Sequence, residues 1–211
     1  MSQVLVDARD RGVMVIFAPS SGVDEMAPSY PTQRRRMQEG ARHCARHACA
    51  SAGVTHAGQG ADADPRREPP LPIAGGCDDG EEGGPARWDD ASHAQHPGLA
   101  VFPGDGLSDS AEEIAGFLRG NGLRRVVLAG VHANECLLRR PFGLRRLPAE
   151  GLAVAVARDL TDVLHDPRRG PAVSHARARE LVLHHVEAHL APTLRAADLT
   201  RLAGEEGAAH A

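Results

Sequence analysis

Short apolar runs alternate with amphipathic stretches along this chain, the rhythm of strands and helices in an α/β protein. Val4, Leu5 and Ala8 share one face of a helix predicted over residues 2–11, which Gly12 ends. Val13 to Ala18 is a continuous apolar run, the pattern of a buried strand. Leu99 to Phe102 is the next strand candidate, closed by Pro103-Gly104. A helix follows from about 111 to 120, capped by Asp109 or Ser110, with Glu112 and Glu113 in its first turn and Ile114, Phe117 and Leu118 on its buried face. Gly120-Asn121-Gly122 then leads into Val126-Val127-Leu128-Ala129, a run of the kind that makes a buried parallel strand.

Beyond that strand the pattern predicts a helix over 134–147 kinked at Pro141, a strand over Ala153–Ala157, and a helix over 175–190 capped by Ser174. Pro192 stops the last helix, and Thr193-Leu194 suits a short edge strand. Residues 38–67 show no clear periodicity, and 60–95 are rich in glycine, proline and acids. The segment 38–95 is therefore expected to be one long irregular insertion, and 203–211 a frayed tail. The whole reads as a single α/β domain, 1–211, with helices in layers on both faces of a mostly parallel sheet.

Composition narrows the function. At 211 residues with a net charge of -4, the chain offers no electrostatic case for nucleic acid. All 24 basic residues are arginine, so any chemistry that needs a lysine must find another group. Cys44, Cys49, Cys77 and Cys136 form no CxxC pair, which argues for reduced thiols and a cytoplasmic protein. No signal-peptide pattern and no apolar run of membrane-spanning length is present, so no membrane partner is expected.

The candidate chemistry centres on Cys136, placed where a strand ends and a helix begins. Asn134 is a helix N-cap type, and Glu135 suits the positive end of the helix dipole. Backbone N–H groups at such a place stabilise a thiolate, or the oxyanion formed when it attacks a carbonyl. A buried structural cysteine is the other reading of the same pattern. His132 is close enough in sequence to bond a ligand or the thiolate. Asp159 and Asp162 follow the Ala153–Ala157 strand at the same sheet edge, though Asp159 could equally pair with Arg158 or cap the next turn.

Other chemistries fit less well. A tyrosine-phosphatase loop needs arginine at 142, which is Phe, and Gly106-Leu107-Ser108-Asp109-Ser110 breaks the serine-hydrolase elbow at its last position. His43-Cys44-Ala45-Arg46-His47-Ala48-Cys49 lacks the paired spacing of structural zinc sites. His185 and His189 stand one helical turn apart, as metal ligands or as part of a solvated face. Ser174-His175 is explained by helix capping better than as a nucleophile pair. No metal and no cofactor is expected.

Gly130-Val131-His132-Ala133-Asn134-Glu135-Cys136-Leu137-Leu138 resembles the nucleophile motif of the isochorismatase-like cysteine hydrolases, which include the nicotinamidases. Similar matches are Arg140-Pro141-Phe142-Gly143-Leu144-Arg145, Arg158-Asp159-Leu160-Thr161-Asp162, Ser174-His175, and Val186-Glu187-Ala188-His189 with Pro192-Thr193. Upstream, Pro69-Pro70-Leu71-Pro72-Ile73, Gly75-Gly76-Cys77-Asp78 and Trp88 resemble a bacterial branch of that family. The resemblance runs from Ala8 to Leu199, with a gap at about residues 38–67.

It implies a Rossmann-like three-layer fold, a cis peptide at Val131–His132, and hydrolysis of a small amide or a related C–N or ether-like bond. Cys136 would be the nucleophile, and His132, Asn134 and Asp159 would line the substrate. The family pairs its cysteine with an aspartate and a lysine, and neither position is found here. The aspartate's strand would precede Val13–Ala18, where the helix 2–11 stands, so the sheet is expected to lack its first central strand. Strand edges left without partners favour poor solubility or a homo-oligomer. Three readings follow: an active hydrolase, a catalytically degraded member binding a small ligand or partner subunit, or an enzyme whose true start lies upstream.

Overall fold

The structure, a computed structural model, describes residues 1–19, 22–47, 68–73, 95–96, 98–168, 170–199 and 201, without the side chains of 43–45 and 47. Ser20, Ser21, Ala48, Cys49, the Gly75–Asp78 stretch, Trp88 and the tail from 203 lie outside these residues. The described residues fall into two compact units.

The first unit comprises the described residues of 1–49, 83–123 and 196–211. It opens on α1 (Ser2–Arg9), shorter than predicted by a turn that closes through Gly12. Of the apolar run Val13–Ala18, only β1 (Ile16–Phe17) is extended with a partner. A single turn, α2 (Val23–Met26), precedes α3 (Pro31–His47), so residues 38–47 are helical rather than part of an irregular insertion. The parallel partner of β1 is β2 (Gly106–Leu107), not Leu99–Phe102.

The reason lies in how the backbone of 99–102 is satisfied. The Phe102 N–H donates to the Asp105 carboxylate at 2.7 Å, and its carbonyl accepts from Asp105 N and from the Gln33 side chain. Arg9 donates to the Ala100 carbonyl and holds Asp105 with a two-pronged contact at 2.9 and 2.7 Å. Turn and side-chain bonds thus replace a ladder. A helix, α4 (Ala111–Gly120), then forms where predicted, with the Ser110 hydroxyl accepting from Glu113 N.

Helices α3 and α4 pack closely because Gly40 has no side chain. A Cβ there would sit 2.4 Å from the Glu113 carbonyl oxygen and 2.5 Å from Phe117 N. Phe17, Val23 and Leu107 form a buried cluster, joined by half-buried Leu5, Val15, Met26, Tyr30, Leu99 and Val101. Arg34 and Ser108 both bond the buried carboxylate of Glu113, which ties α3 and the end of β2 to α4.

The second unit, comprising the described residues of 50–82 and 124–195, carries a three-stranded parallel sheet in the order β3-β4-β5. Its strands are β3 (Arg125–Gly130), β4 (Ala153–Thr161) and β5 (Thr193–Leu194). The strands of the described residues therefore form two parallel sheets rather than one, and β1 and β3 each have a single strand partner. With one neighbour, β3 is half-buried along Val126, Val127 and Leu128 and exposed at Ala129, not buried as expected.

The helix predicted over 134–147 is reduced to one turn, α5 (Cys136–Arg139). Arg140 takes the extended backbone that a following proline imposes, so Pro141 ends the helix rather than kinking it. The chain folds back at Gly143, where a Cβ would meet the Leu137 carbonyl oxygen at 2.6 Å. A 3-10 turn, Leu147–Glu150, then leads into β4.

β4 runs four residues further than predicted and bulges. Leu128 pairs with Val156, but Gly130 pairs with Thr161, so the strand carries extra residues between them. Arg179 serves the bulge's unpaired acceptors, donating to the carbonyls of Thr161 (2.7 Å) and Arg158. The last helix, α6 (His175–His189), is capped by Ser174 as predicted, and its Ala178, Val182 and Val186 recur at helical spacing on the buried face. Ala178 and Val182 pack with Ile73, Ala133 and Val163, which places core residues directly under the loops at the carboxyl ends of β3 and β4.

Candidate active site

Those loops carry the residues of interest. After β3 the chain turns through Val131–His132, a cis peptide bond not preceding proline, as expected from the sequence. The turn is fixed from two sides. Ala133 N donates to the Asp162 carbonyl at 2.7 Å, and Asp162 N donates to the Gly130 carbonyl at 3.3 Å. The His132 carbonyl accepts from both Glu135 N and Leu137 N at 3.1 Å, which closes the start of α5 around Cys136. Cys136 is the first residue of that turn and is half-buried.

Asn134 has a different role from the one its sequence position suggested. It makes no side-chain cap to α5, whose N-cap is Glu135. It is fully buried, and its side-chain oxygen accepts from Leu164 N at 2.9 Å while its amide nitrogen donates to Leu164 O at 2.8 Å and more loosely to Ile73 O. These bonds commit both ends of the amide to backbone, so Asn134 holds the turn in place.

Asp162, whose backbone braces this turn, carries His175 on its carboxylate. His175 Nε2 lies 2.9 Å from Asp162 Oδ1, which also accepts from Val163 N at 2.9 Å. Burial works against ionisation of Asp162, but the His175 and Val163 hydrogen bonds and the charges of His175 and Arg179 outweigh it, holding the carboxyl below its usual range. His132 feels the same group. Burial is the largest influence and lowers its pKa; the Asp162 charge opposes this and the His175 charge adds to it. Asp159, the acid expected to line the substrate, is exposed within the β4 bulge, and it is Asp162 whose charge acts on His132.

Two further polar groups escaped the sequence reading. His165 is fully buried, its Nε2 bonds the Val173 carbonyl at 3.0 Å, and its ring centroid is 6.5 Å from that of His175. Glu68 is buried and receives two bonds from Arg145, at 2.9 and 2.7 Å, and one contact from His185 Nε2 at 3.1 Å. Burial pushes the Glu68 carboxyl up, yet Arg145 and His185 together bring it below its ordinary value. His185 is thus buried against Glu68 and not on a solvated face, and its ring centroid lies 4.9 Å from that of His189. Glu187, between them, bonds Arg158 and Thr193.

Nothing in the sequence around Glu68 marks it as a partner for residues 77 and 117 positions away. His175 is read from the sequence only together with Ser174, as part of the family resemblance and as a weak nucleophile pair, and not as a partner of Asp162. Among the described residues no group of three or more His, Cys, Asp or Glu side chains is placed to hold a metal ion, and no helix is long and apolar enough to cross a membrane.

No family model matches the chain, and no curated protein matches it by sequence. Similarity to solved structures is clear. A cysteine hydrolase from Pseudomonas syringae pv. phaseolicola 1448A superposes with a TM-score of 0.54 at 14% identity, covering 96% of this chain and 78% of that one. A hydrolase assigned to the isochorismatase family, from Chromobacterium violaceum ATCC 12472, superposes with a TM-score of 0.47 at 18% identity, covering 91% and 93%. At these identities the likeness is one of fold. The α/β fold expected from the sequence holds at that level: the chain shares the fold of the Pseudomonas syringae cysteine hydrolase.

Proposed function

We propose that this chain, which shares its fold with a solved cysteine hydrolase and whose Gly130–Leu138 stretch resembles the isochorismatase-like nucleophile motif, is itself a cysteine hydrolase acting through Cys136. Its substrate on this reading is a small amide or a molecule with a related C–N or ether-like bond, handled in the cytoplasm by a homo-oligomer. The observation that carries the reading is the company Cys136 keeps. A half-buried thiol opens a helical turn at the carboxyl end of β3, and the residue bracing that turn, Asp162, brings a carboxylate and an imidazole to the same edge. Parallel sheets bind ligands at that edge, where loops from successive strands converge.

Chemically the arrangement suits acyl transfer. The thiolate attacks the carbonyl carbon, the leaving amine departs with a proton, and water then hydrolyses the thioester. Ligand binding without turnover is the second reading, favoured by one observation: the chain contains no lysine to match the family's catalytic pair.

Incubation of the full chain with a panel of small amides, nicotinamide included, and intact-mass analysis separates the two. An acyl adduct on Cys136, with turnover abolished in Cys136→Ser, supports the hydrolase. Compounds that raise the melting temperature equally in both proteins, with no adduct and no product, refute it in favour of the binder.

A further inference from the structure

We propose that Glu68 to Ile73 form a stiff strap that positions the turn carrying Cys136. The inference rests on the reading of Cys136 as nucleophile and names what holds that residue in place from outside its own loop.

The segment has the burial pattern of a strap. Glu68 and Ile73, at its two ends, are buried, whereas Pro69, Pro70 and Pro72 between them are exposed and Leu71 is half-buried. No helix or strand forms within it. Its stiffness is covalent instead. Three prolines in six residues fix φ at three positions, and each also restricts the residue before it.

The two ends grip the chain on either side of Cys136. At the first, Glu68 receives two bonds from Arg145, at 2.9 and 2.7 Å, and contacts His185 Nε2 at 3.1 Å. Arg145 follows Leu144, whose N–H donates to the Leu137 carbonyl at 2.7 Å, so this end is tied to the residue just after Cys136. At the second end, the Ile73 side chain packs in one cluster with Ala133, Val163, Ala178 and Val182, and its carbonyl accepts loosely from the Asn134 amide at 3.5 Å. This end therefore meets the chain three and two residues before Cys136.

The turn needs such a restraint. A single helical turn, which is all that α5 provides, does not hold its shape by its own hydrogen bonds. Each end of the strap resists release for its own reason. Glu68 cannot leave without stranding its charge and the largely buried Arg145 guanidinium, and Ile73 cannot leave without exposing a fully buried side chain. With φ fixed at Pro69, Pro70 and Pro72, a shift at one end is passed to the other rather than absorbed between them. Glu68 and Ile73 are on this account positioning residues, acting on the thiol only through the turn.

The test compares the full wild-type chain with Glu68→Gln and with the triple variant Pro69→Gly, Pro70→Gly, Pro72→Gly, which leaves both buried ends in place and alters exposed residues alone. Amide exchange is followed by NMR under native conditions. In both variants the amides of Ala133, Glu135 and Leu137 should exchange about tenfold or more faster than in wild type, while those of Val154 to Val156 in β4 stay within about threefold. Two probes then read Cys136 by intact mass. p-Nitrophenyl acetate transfers its acetyl group to Sγ with release of p-nitrophenol and depends on the geometry around the thiol, whereas alkylation by iodoacetamide needs only access to it. Acetylation of Cys136 should fall about tenfold in the variants with no fall in alkylation, a split that a loss of global stability alone would not produce. Unchanged exchange at Ala133, Glu135 and Leu137 with unchanged acetylation in the proline variant would overturn the strap and leave Cys136 as the nucleophile. A wild type acetylated no faster than Cys136→Ser would remove the nucleophile, and the positioning role with it. Should Glu68→Gln fail to fold, the proline variant decides on the same terms.

Discussion

Replacing Asn134 by alanine should loosen the turn that presents Cys136, and the size of the effect follows from its bonds. Asn134 satisfies both the N–H and the C=O of Leu164, at 2.9 and 2.8 Å, from a fully buried position. Each buried backbone group left without a partner costs about 1–3 kcal/mol. Losing both bonds should therefore cost about 2–6 kcal/mol. With a urea dependence of about 2 kcal/mol per molar, the midpoint followed by circular dichroism should fall by about 1–3 M. Hydrogen exchange offers a local reading, because the Leu164 amide loses its acceptor and should exchange faster than amides within β4. Asn134→Asp sharpens the case. It keeps the acceptor for Leu164 N but sets a carboxylate oxygen against the Leu164 carbonyl, so it should be nearly as damaging at neutral pH and milder in acid, where the carboxyl can donate. An alanine variant within about 0.5 kcal/mol of wild type, with unchanged Leu164 exchange, would show that the bracket contributes nothing and that the turn is held some other way.

Three further expectations follow. Glu68→Ala strands the largely buried Arg145 guanidinium and the His185 ring, which should cost about 3–5 kcal/mol in urea unfolding, and the pairing of Glu68→Ala with Arg145→Met should recover part of it; a cost below about 1 kcal/mol would refute the network. Gly40→Ala should destabilise by about 1–3 kcal/mol despite alanine's better helix propensity, because the clashing atoms are backbone of α4; a raised melting temperature would contradict the close approach. The lowered pKa of His132 predicts acid sensitivity: below about pH 6.5 the unfolded chain binds a proton that folded His132 resists, so the stability it contributes is present above that value and lost as pH falls through the folded one. His132→Asn should flatten the slope of stability between about pH 7 and 5.5, and an unchanged slope would place the effect elsewhere.

Elements with strong local signals were legible in the sequence. The α4 helix and its Ser110 cap, the Ser174 cap of α6, and the short strand at Thr193 all follow from caps and periodicity that need no distant partner. The Leu99–Phe102 strand and the 134–147 helix failed for opposite reasons. The first has strand-like side chains whose backbone is taken up by Asp105, Arg9 and Gln33. The second has a helix-like pattern cut short by Pro141 and by the fold-back at Gly143. At the site, Cys136 and His132 could be placed because they share one turn. Asp162 was a candidate only alongside Asp159, and its bond to His175 spans 13 residues that no spacing rule connects. Glu68 and Arg145 are further apart still, and long-range ion pairs leave no periodic trace.

The bulge in β4 has a bearing on how such chains diverge. Up to Ala157 the strand is scaffold, locked by its pairing with β3 and β5; from Thr161 onward it supplies the site. Between the two, Arg158, Leu160 and the exposed Asp159 answer to neither register. The interval is nonetheless clamped: the Thr161 hydroxyl donates to the Ala157 carbonyl across it, and Arg179 holds the carbonyls of Arg158 and Thr161. A residue gained or lost there would break bonds that set where Asp162 sits, so the length of the bulge is itself under constraint.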